Sequence, residues 1–352
     1  MEDISYYDGT KLLSLRDLNK NLPEIYIVDG NRSSGKTTYF MKMLLNHSIK
    51  QSRKFALLFR FQNELDDCYK NFNIVCEKWF KNYEIQGYPK DKGSYYVIEC
   101  KHKHTENIKV IGFAISLNAV DKIKKKSHYF SEVQEIFFDE FQPESGRYLP
   151  HEIKNFQSIH TSIARGFNQM YRRVPVYMCS NAITLLNPYY TALNISSRIQ
   201  HNTKFLRGNG WVAEFNLNKD AQNAQLNSAF NQAFESNYLE SAASNIYLND
   251  NKTFITQLPG KLLYMLTFKY NNKCYSLKTD VSKGFVFVTK SVDMSFPVKL
   301  AVSASDMSEQ FLHKASQGIT LTLLRKKFDT GCFRFQDLEC KEAAFQLLGI
   351  IA

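Results

Sequence analysis

Short apolar runs separated by amphipathic stretches fill the first two hundred positions of the chain. "EIYIV" (Glu24 to Val28) has the pattern of a buried strand, and "GKTTYFMKMLLNHSI" beyond it carries an apolar face at helical spacing. "KFALLFR" (Lys54 to Arg60) reads as a second strand, followed by a polar helix from Gln62. "YYVIEC" and "NIKVIGFAI" form an expected strand pair. "EVQEIFF" and "VPVYMC" are two more short buried strands, with a helix over about His151 to Ala164 between them. Strands alternating with helices predict an α/β fold with a mainly parallel sheet covered on both faces.

The composition then shifts. Residues 209–245 are rich in Asn, Ala, Gln and Ser, with Leu226, Phe230 and Phe234 at helical spacing. That pattern predicts a small helical linker. Beyond it the β-rich runs "KLLYMLTFKY", "KCYSLKTD" and "KGFVFVTKSV" precede a helical tail, and Asn-Asn inside "KYNNKCY" signals a hairpin. The expected division is an N-terminal domain over 1–208, a linker over 209–245 and a smaller α+β domain over 246–352.

Charge changes the picture. The 352 residues carry 45 Lys+Arg against 34 Asp+Glu, a net +11. Residues 240–352 hold 14 of those cations and 10 of the anions, so the excess is spread over the whole fold. A folded basic surface facing a polyanion is favoured over a basic tail. No apolar stretch reaches the ~18 residues of a membrane span. "MEDISYYDGTKLL" lacks the basic start and apolar block of a signal peptide. Seven cysteines without a C-x-x-C pair suit reduced thiols in a cytosolic protein.

The chemistry starts at "DGNRSSGKTTYF". Gly30, Gly35, Lys36 and Thr37 satisfy G-x-x-x-x-G-K-[ST] between a strand and a helix. The glycines let successive N–H groups of the loop (Gly30, Asn31, Arg32, Ser33, Ser34, Gly35, Lys36, Thr37 and Thr38) face phosphate oxygens. Lys36 supplies a point charge for the β- and γ-phosphates of ATP, and the Thr37 hydroxyl is a ligand for Mg²⁺. Arg32 is an addition inside the loop. "EIFFDEF" ends an apolar strand in Asp139, a carboxylate for the metal, followed by Glu140, which can polarise the attacking water. "VPVYMCSNA" places Ser180 and Asn181 at a strand end, where a sensor of the γ-phosphate belongs. "IARGFNQMYRR" offers Arg165, Arg172 and Arg173 as arginines that a neighbouring subunit's site could use. "DKIKKKSH" packs Lys122, Lys124, Lys125 and Lys126 into a candidate contact with phosphate backbone, without base readout.

The runs "GNRSSGKT", "FFDEFQPESGRYLPHEI" and "CSNAITLLNPYY" resemble the genome-packaging ATPases of small, short-tailed, protein-primed phages (the salasvirus-like group), relatives of terminase large subunits. Together the runs cover about 30–190. The resemblance implies a P-loop domain of the ASCE class. It also implies a ring of subunits, usually five, docked on the portal of a procapsid in the host cytoplasm and moving double-stranded DNA by ATP hydrolysis. It assigns Asp139 as the Walker B residue, Glu140 as the catalytic glutamate and Arg165 as the arginine acting in trans. Several extra residues between Arg165 and "CSNA" leave Arg172 and Arg173 open. Arg60 falls where the family carries basic residues, and Lys126 where it has a lid lysine. The family also implies an RNase H-like second domain. Here "KLLYMLTFKY" has no carboxylate, and Asp280 and Asp293 lack a third partner, so a vestigial nuclease that does not cut is expected. Such a domain could bind DNA, portal or a packaging RNA. A helicase-like nucleic-acid ATPase is the alternative; it would carry a second RecA-like half.

Overall fold

The computed structural model describes residues 6–165, 170–185, 187–196, 198–199, 203–216, 218–228, 233 and 255–349. The chain divides into two compact units, Met1–Asn249 and Asp250–Ala352.

In the first unit nine strands build one sheet: β1 (Ile25–Gly30), β2 (Lys54–Phe59), β3 (Tyr83–Lys90), β4 (Tyr95–His102), β5 (Ile108–Ser116), β6 (Val133–Asp139), β7 (Val176–Asn181), β8 (Phe205–Gly208) and β9 (Trp211–Asn216). Their spatial order is β3-β4-β5-β2-β6-β7-β1-β9-β8. The six strands from β5 to β9 in that order are parallel. Antiparallel partners close both edges. Strand β7 lies between β1 and β6, and this interposed strand is the mark of the ASCE class. The helices are α1 (Thr10–Ser14), α2 (Lys36–Gln51), α3 (Lys70–Trp79), α4 (Val120–Lys125), α5 (Glu152–Ala164), α6 (Pro188–Ala192) and α7 (Lys219–Leu226).

Burial on both faces explains why the central strands read as continuous apolar runs. Ile27, Phe138 and Met178 pack with Phe156 and Ile159 of α5 on one face. Their chain neighbours Val28, Phe137 and Cys179 pack with Phe40 and Leu44 of α2 on the other. Two elements differ from the sequence expectation. The polar helix expected from Gln62 is a single 3₁₀ turn, Gln62–Leu65, and the α-helix starts only at Lys70. The linker expected over 209–245 begins inside the sheet: β9 pairs in parallel with β1 from Ile25↔Trp211 to Gly30↔Asn216. Its side chains Val212 and Ala213 are fully buried, so the first unit extends past 208. Phe230 and Phe234 lie outside the described residues, as does the side chain of Leu226.

The second unit has a six-stranded sheet made of β10 (Leu263–Tyr270), β11 (Lys273–Asp280), β12 (Phe285–Thr289), β13 (Lys299–Ala301), β14 (Leu312–His313) and β15 (Phe333–Phe335), with helices α8 (Gly318–Asp329) and α9 (Leu338–Leu348). The order is β14-β13-β10-β11-β12-β15. β10, β11 and β12 are antiparallel, while β13 and β14 join β10 in parallel. Apart from the added β15 this is the RNase H-like strand order, and among the described residues no α-helix lies between β12 and β14. The Asn-Asn hairpin forms as expected, with Asn271 and Asn272 both left-handed at φ 50° and 61°. The buried Asp306 carboxylate accepts their two N–H groups at 3.2 and 2.9 Å. Among the described residues no helix is long and apolar enough to cross a membrane.

Candidate nucleotide site

The site lies where the parallel strands end. β1 runs into the phosphate loop, and α2 starts at Lys36 with its N-terminal N–H groups at the loop, an arrangement that attracts anions. Gly35 has φ 92° and Ser33 φ 61°, the left-handed turns that bend the loop back. Gly30 is required for a second reason. A Cβ there would stand 2.4 Å from the Asn216 carbonyl oxygen, so only glycine lets β9 close against the loop.

The structure brings the Walker pair together: Thr37 Oγ1 donates to Asp139 Oδ1 at 3.1 Å, across 102 residues of sequence. Lys36 is buried, its Nζ donating to the Asn31 carbonyl at 2.7 Å and Ser34 Oγ at 3.1 Å. Desolvation pulls the Lys36 ammonium below the ordinary lysine value, against the raising influence of Cys179, Asp29 and Asp139. Glu140 is exposed and left-handed at φ 53°. Such a conformation costs a non-glycine residue roughly 1–2 kcal/mol, so the neighbouring packing imposes it. Asn181, half-buried, sits opposite Gly30 in the β1–β7 register, and Ser180 beside it is buried with no hydrogen-bond partner for its hydroxyl among the described residues. Ser180 and Asn181 are therefore adjacent to the first loop glycine.

Other expected site residues have partners of their own. The Asn31 side chain exchanges two hydrogen bonds with the backbone of Asn218, both 2.9 Å. Arg32 pairs with Glu144, beyond Glu140. Thr38 is exposed on α2. Arg165 is exposed at the C-terminal end of α5. Arg172 and Arg173, left open by the sequence, are held within their own subunit. Arg172 Nη2 donates to the carbonyls of Ser131 and Ile163 at 2.8 and 2.9 Å, and Arg173 Nη2 to that of Pro23 and to the Tyr26 hydroxyl. Arg60 is buried against Glu152 at 3.0 Å, so it does not present a basic surface. Lys122, Lys124 and Lys125 are exposed around α4, whereas Lys126 is tied to Asp91 at 2.7 Å.

Sequence reasoning missed two contributors. Tyr7 donates its N–H to the Ser34 carbonyl at 2.8 Å and its hydroxyl to Glu214 Oε2 at 2.8 Å, bracing the loop from the N-terminal segment. Asp29, one residue before Gly30, is a fully buried carboxylate. The pattern "IVDG" carried a signal for it, since a charge ending a buried strand needs a partner.

A phosphate loop on β1, a carboxylate pair closing β6 and the interposed β7 define an ASCE-class P-loop protein. The family model for the Podovirus DNA encapsidation protein (Gp16) matches residues 1–351, and the chain belongs to that family. The DNA packaging proteins of Bacillus phages phi29 and PZA are each 24% identical to it over 354 residues, spanning 99% of this chain and 98% of theirs. A chain of the bacteriophage phi29 viral genome packaging motor assembly shares the fold with a TM-score of 0.70 at 20% identity, covering 98% of this chain and 99% of that one. The Phi-28 gp11 DNA packaging motor gives 0.63 at 16% identity, with 99% of both chains covered.

Desolvation, more than the repulsion from Glu140, pushes the Asp139 carboxyl up to about 6, although the Thr37 hydrogen bond lowers it. An unfolded aspartate titrates near about 3.9. The folded state therefore holds this proton more tightly, and stability is lost as pH rises between those two values. Asp139→Asn is expected to raise the Tm of the nucleotide-free protein at pH 7, with the difference vanishing near pH 4. Thermal melts at both pH values check this; a lower Tm for the variant at pH 7 contradicts it.

Proposed function

We propose that this chain is the ATP-hydrolysing subunit of a viral packaging motor that drives double-stranded DNA through the portal of a procapsid. The observation that carries the reading is the contact between Thr37 and Asp139, with Lys36 and Glu140 beside it, in a chain of the DNA encapsidation family.

The donor set suits magnesium, a hard cation that takes one or two protein oxygens and completes its shell with phosphates and water. Thr37 and Asp139 would hold it, and when bound it would neutralise phosphate charge. Lys36 and the loop N–H groups bind and orient the phosphates. Glu140, exposed beside the metal carboxylate, accepts the proton of the attacking water. Asn181 and Ser180 sense the γ-phosphate from β7. Arg165 reaches a neighbour's site in a ring, which we take to be pentameric. Lys122, Lys124 and Lys125 supply a phosphate-backbone contact to DNA, and Lys126 steadies that surface through Asp91.

The second unit serves as a binding module for DNA, portal or a packaging RNA. Asp280 Oδ1 accepts from Ser282 N–H and O–H, and Asp293 Oδ1 does the same for Ser295, so each carboxylate closes its own turn. That use suits turns, where a two-metal cut needs converging carboxylates. The RNase H-like order of this unit differs from that of the second RecA-like half that a helicase would carry. The protein works in the host cytoplasm, transiently on the procapsid.

Four outcomes test the reading. Lys36→Ala should lose ATP binding or hydrolysis, whereas Glu140→Gln should bind ATP and hydrolyse it at least about 10²-fold more slowly. Duplex DNA or procapsids should stimulate the wild-type rate; indifference to both would reject the motor assignment. Incubation with plasmid and Mg²⁺ or Mn²⁺ should leave the DNA intact, and cutting abolished by Asp280→Ala would restore a nuclease. For the ring, Arg165→Ala should bind ATP normally yet lose about 10³-fold in hydrolysis. Mixed with Glu140→Gln subunits it should regain part of that rate, because some interfaces then pair an intact Glu140 with an intact Arg165. Mixed rings with no recovery would place Arg165 in cis.

A further inference from the structure

Two runs of the sequence take no part in the chemistry above: "FQ", directly after Asp139 and Glu140, and "NPYY". The fold brings them together beneath the phosphate loop. Asp29 Oδ2 accepts from Gln142 Nε2 at 3.0 Å and from the Tyr190 hydroxyl at 2.6 Å. Gln142 is itself only 2% exposed, and its Oε1 accepts the N–H of Thr184 at 3.1 Å. One amide thus ties three strand ends: β1 through Asp29, the chain after β7 through Thr184, and its own chain after β6.

The neighbouring tyrosine makes a second tie. The Tyr189 hydroxyl donates to Glu152 Oε1 at 2.8 Å; Glu152 also receives Arg60, whose Nη2 donates to the Phe141 carbonyl at 2.7 Å. Phe141 gives its N–H to the Cys179 carbonyl at 3.2 Å, and its ring lies 5.6 and 5.9 Å from those of Tyr189 and Tyr190. "NPYY" is built to present this pair: Asn187 caps α6 by accepting the Tyr190 N–H at 2.8 Å, and Pro188 fills the first turn. Glu140 is consequently set between Asp139, at the end of a strand, and two residues fixed through both main chain and side chain.

We propose that Gln142, held by Asp29 and Thr184, with Tyr190 donating to the same Asp29 oxygen, is a positioning residue for Glu140, setting the rate of the chemical step rather than nucleotide affinity. The proposal rests on the ATPase reading with Glu140 as base. A network that fixes the base within a fraction of an ångström controls kcat, since displacement of about 1 Å costs on the order of 10²-fold in rate.

The test uses the full chain with ATP. Gln142→Met keeps the volume and removes both hydrogen bonds; kcat should fall about 10²-fold, with KM and the Kd for a non-hydrolysable ATP analogue unchanged. Gln142→Glu should be slower still, because it sets a second carboxylate against Asp29. Adding Asp29→Asn to Gln142→Glu reverses the polarity of the bond: the new amide donates to the new carboxylate and to the Tyr190 oxygen. That double variant should recover at least about tenfold in kcat. A wild-type kcat for Gln142→Met, or kcat and KM changing in step, overturns the proposal. Should Gln142→Met fail to fold, Tyr190→Phe decides the matter, with a loss of about tenfold expected and no loss refuting it. Glu140→Gln is the control. If it hydrolyses ATP at the wild-type rate, the assignment of the base falls and this proposal with it; if it is inactive while Gln142→Met is normal, positioning alone falls.

Discussion

A carboxylate without access to water, one residue before the phosphate loop, is the constraint around which the nucleotide end of the sheet is arranged. A buried ionised group is tolerated only when hydrogen bonds replace its lost hydration. Asp29 obtains them from Gln142 and Tyr190, which come from opposite sides of β7 in the chain. Meeting that requirement draws the segment after the Walker B strand and the short helix α6 under the loop. The same charge helps the buried Lys36, whose ammonium suffers first from desolvation and is supported by Cys179, Asp29 and Asp139. The buried Lys36 ammonium and the segment that carries Glu140 are therefore linked through one buried carboxylate.

The elements that bury both faces were legible in the sequence, because apolar content and turn residues alone specify them. β1, β2, β6 and β7 all lie within a few residues of the expected runs. The closeness of Thr37 and Asp139 could be anticipated for a different reason: phosphate and magnesium chemistry restricts which residue types would serve at which spacing. Contacts set by tertiary closeness were not. β3 contains Gly87 and Pro89 and packs as an edge strand, so its propensity is weak and its partner β4 defines it. β9 sits in a composition that signals a linker, and only its register with β1 makes it a core strand. Arg60 carried a basic label in sequence, while its environment, buried between Glu152 and the rings of Phe138 and Tyr148, makes it structural. Arg172 and Arg173 changed status likewise once their carbonyl partners came into view.

The second unit pairs an RNase H-like strand order with a first strand that carries no carboxylate. Its first strand, β10, reads "LYMLTFKY", with aromatic and aliphatic positions where a carboxylate would have to stand. Among its acids, Asp280 and Asp293 close turns and Asp306 holds the hairpin tip. Lys273 and Lys290 neutralise Glu339 on the helix beside them.

The phosphate-loop signature is conventionally written with four unspecified positions, as though any residue served there. In this chain three of those four positions are anchored to distant parts of the fold. Asn31 is bonded to Asn218, Arg32 to Glu144, and the Ser34 carbonyl to the amide of Tyr7. The loop is a junction of four chain segments as well as a cradle. A transplanted loop from another nucleotide-binding protein, matching every specified letter, would arrive without those three attachments and leave the Asn218 backbone, Glu144 and the Tyr7 amide to find others. Interchangeability of such loops between proteins is thus limited by their unlettered positions rather than by the lettered ones.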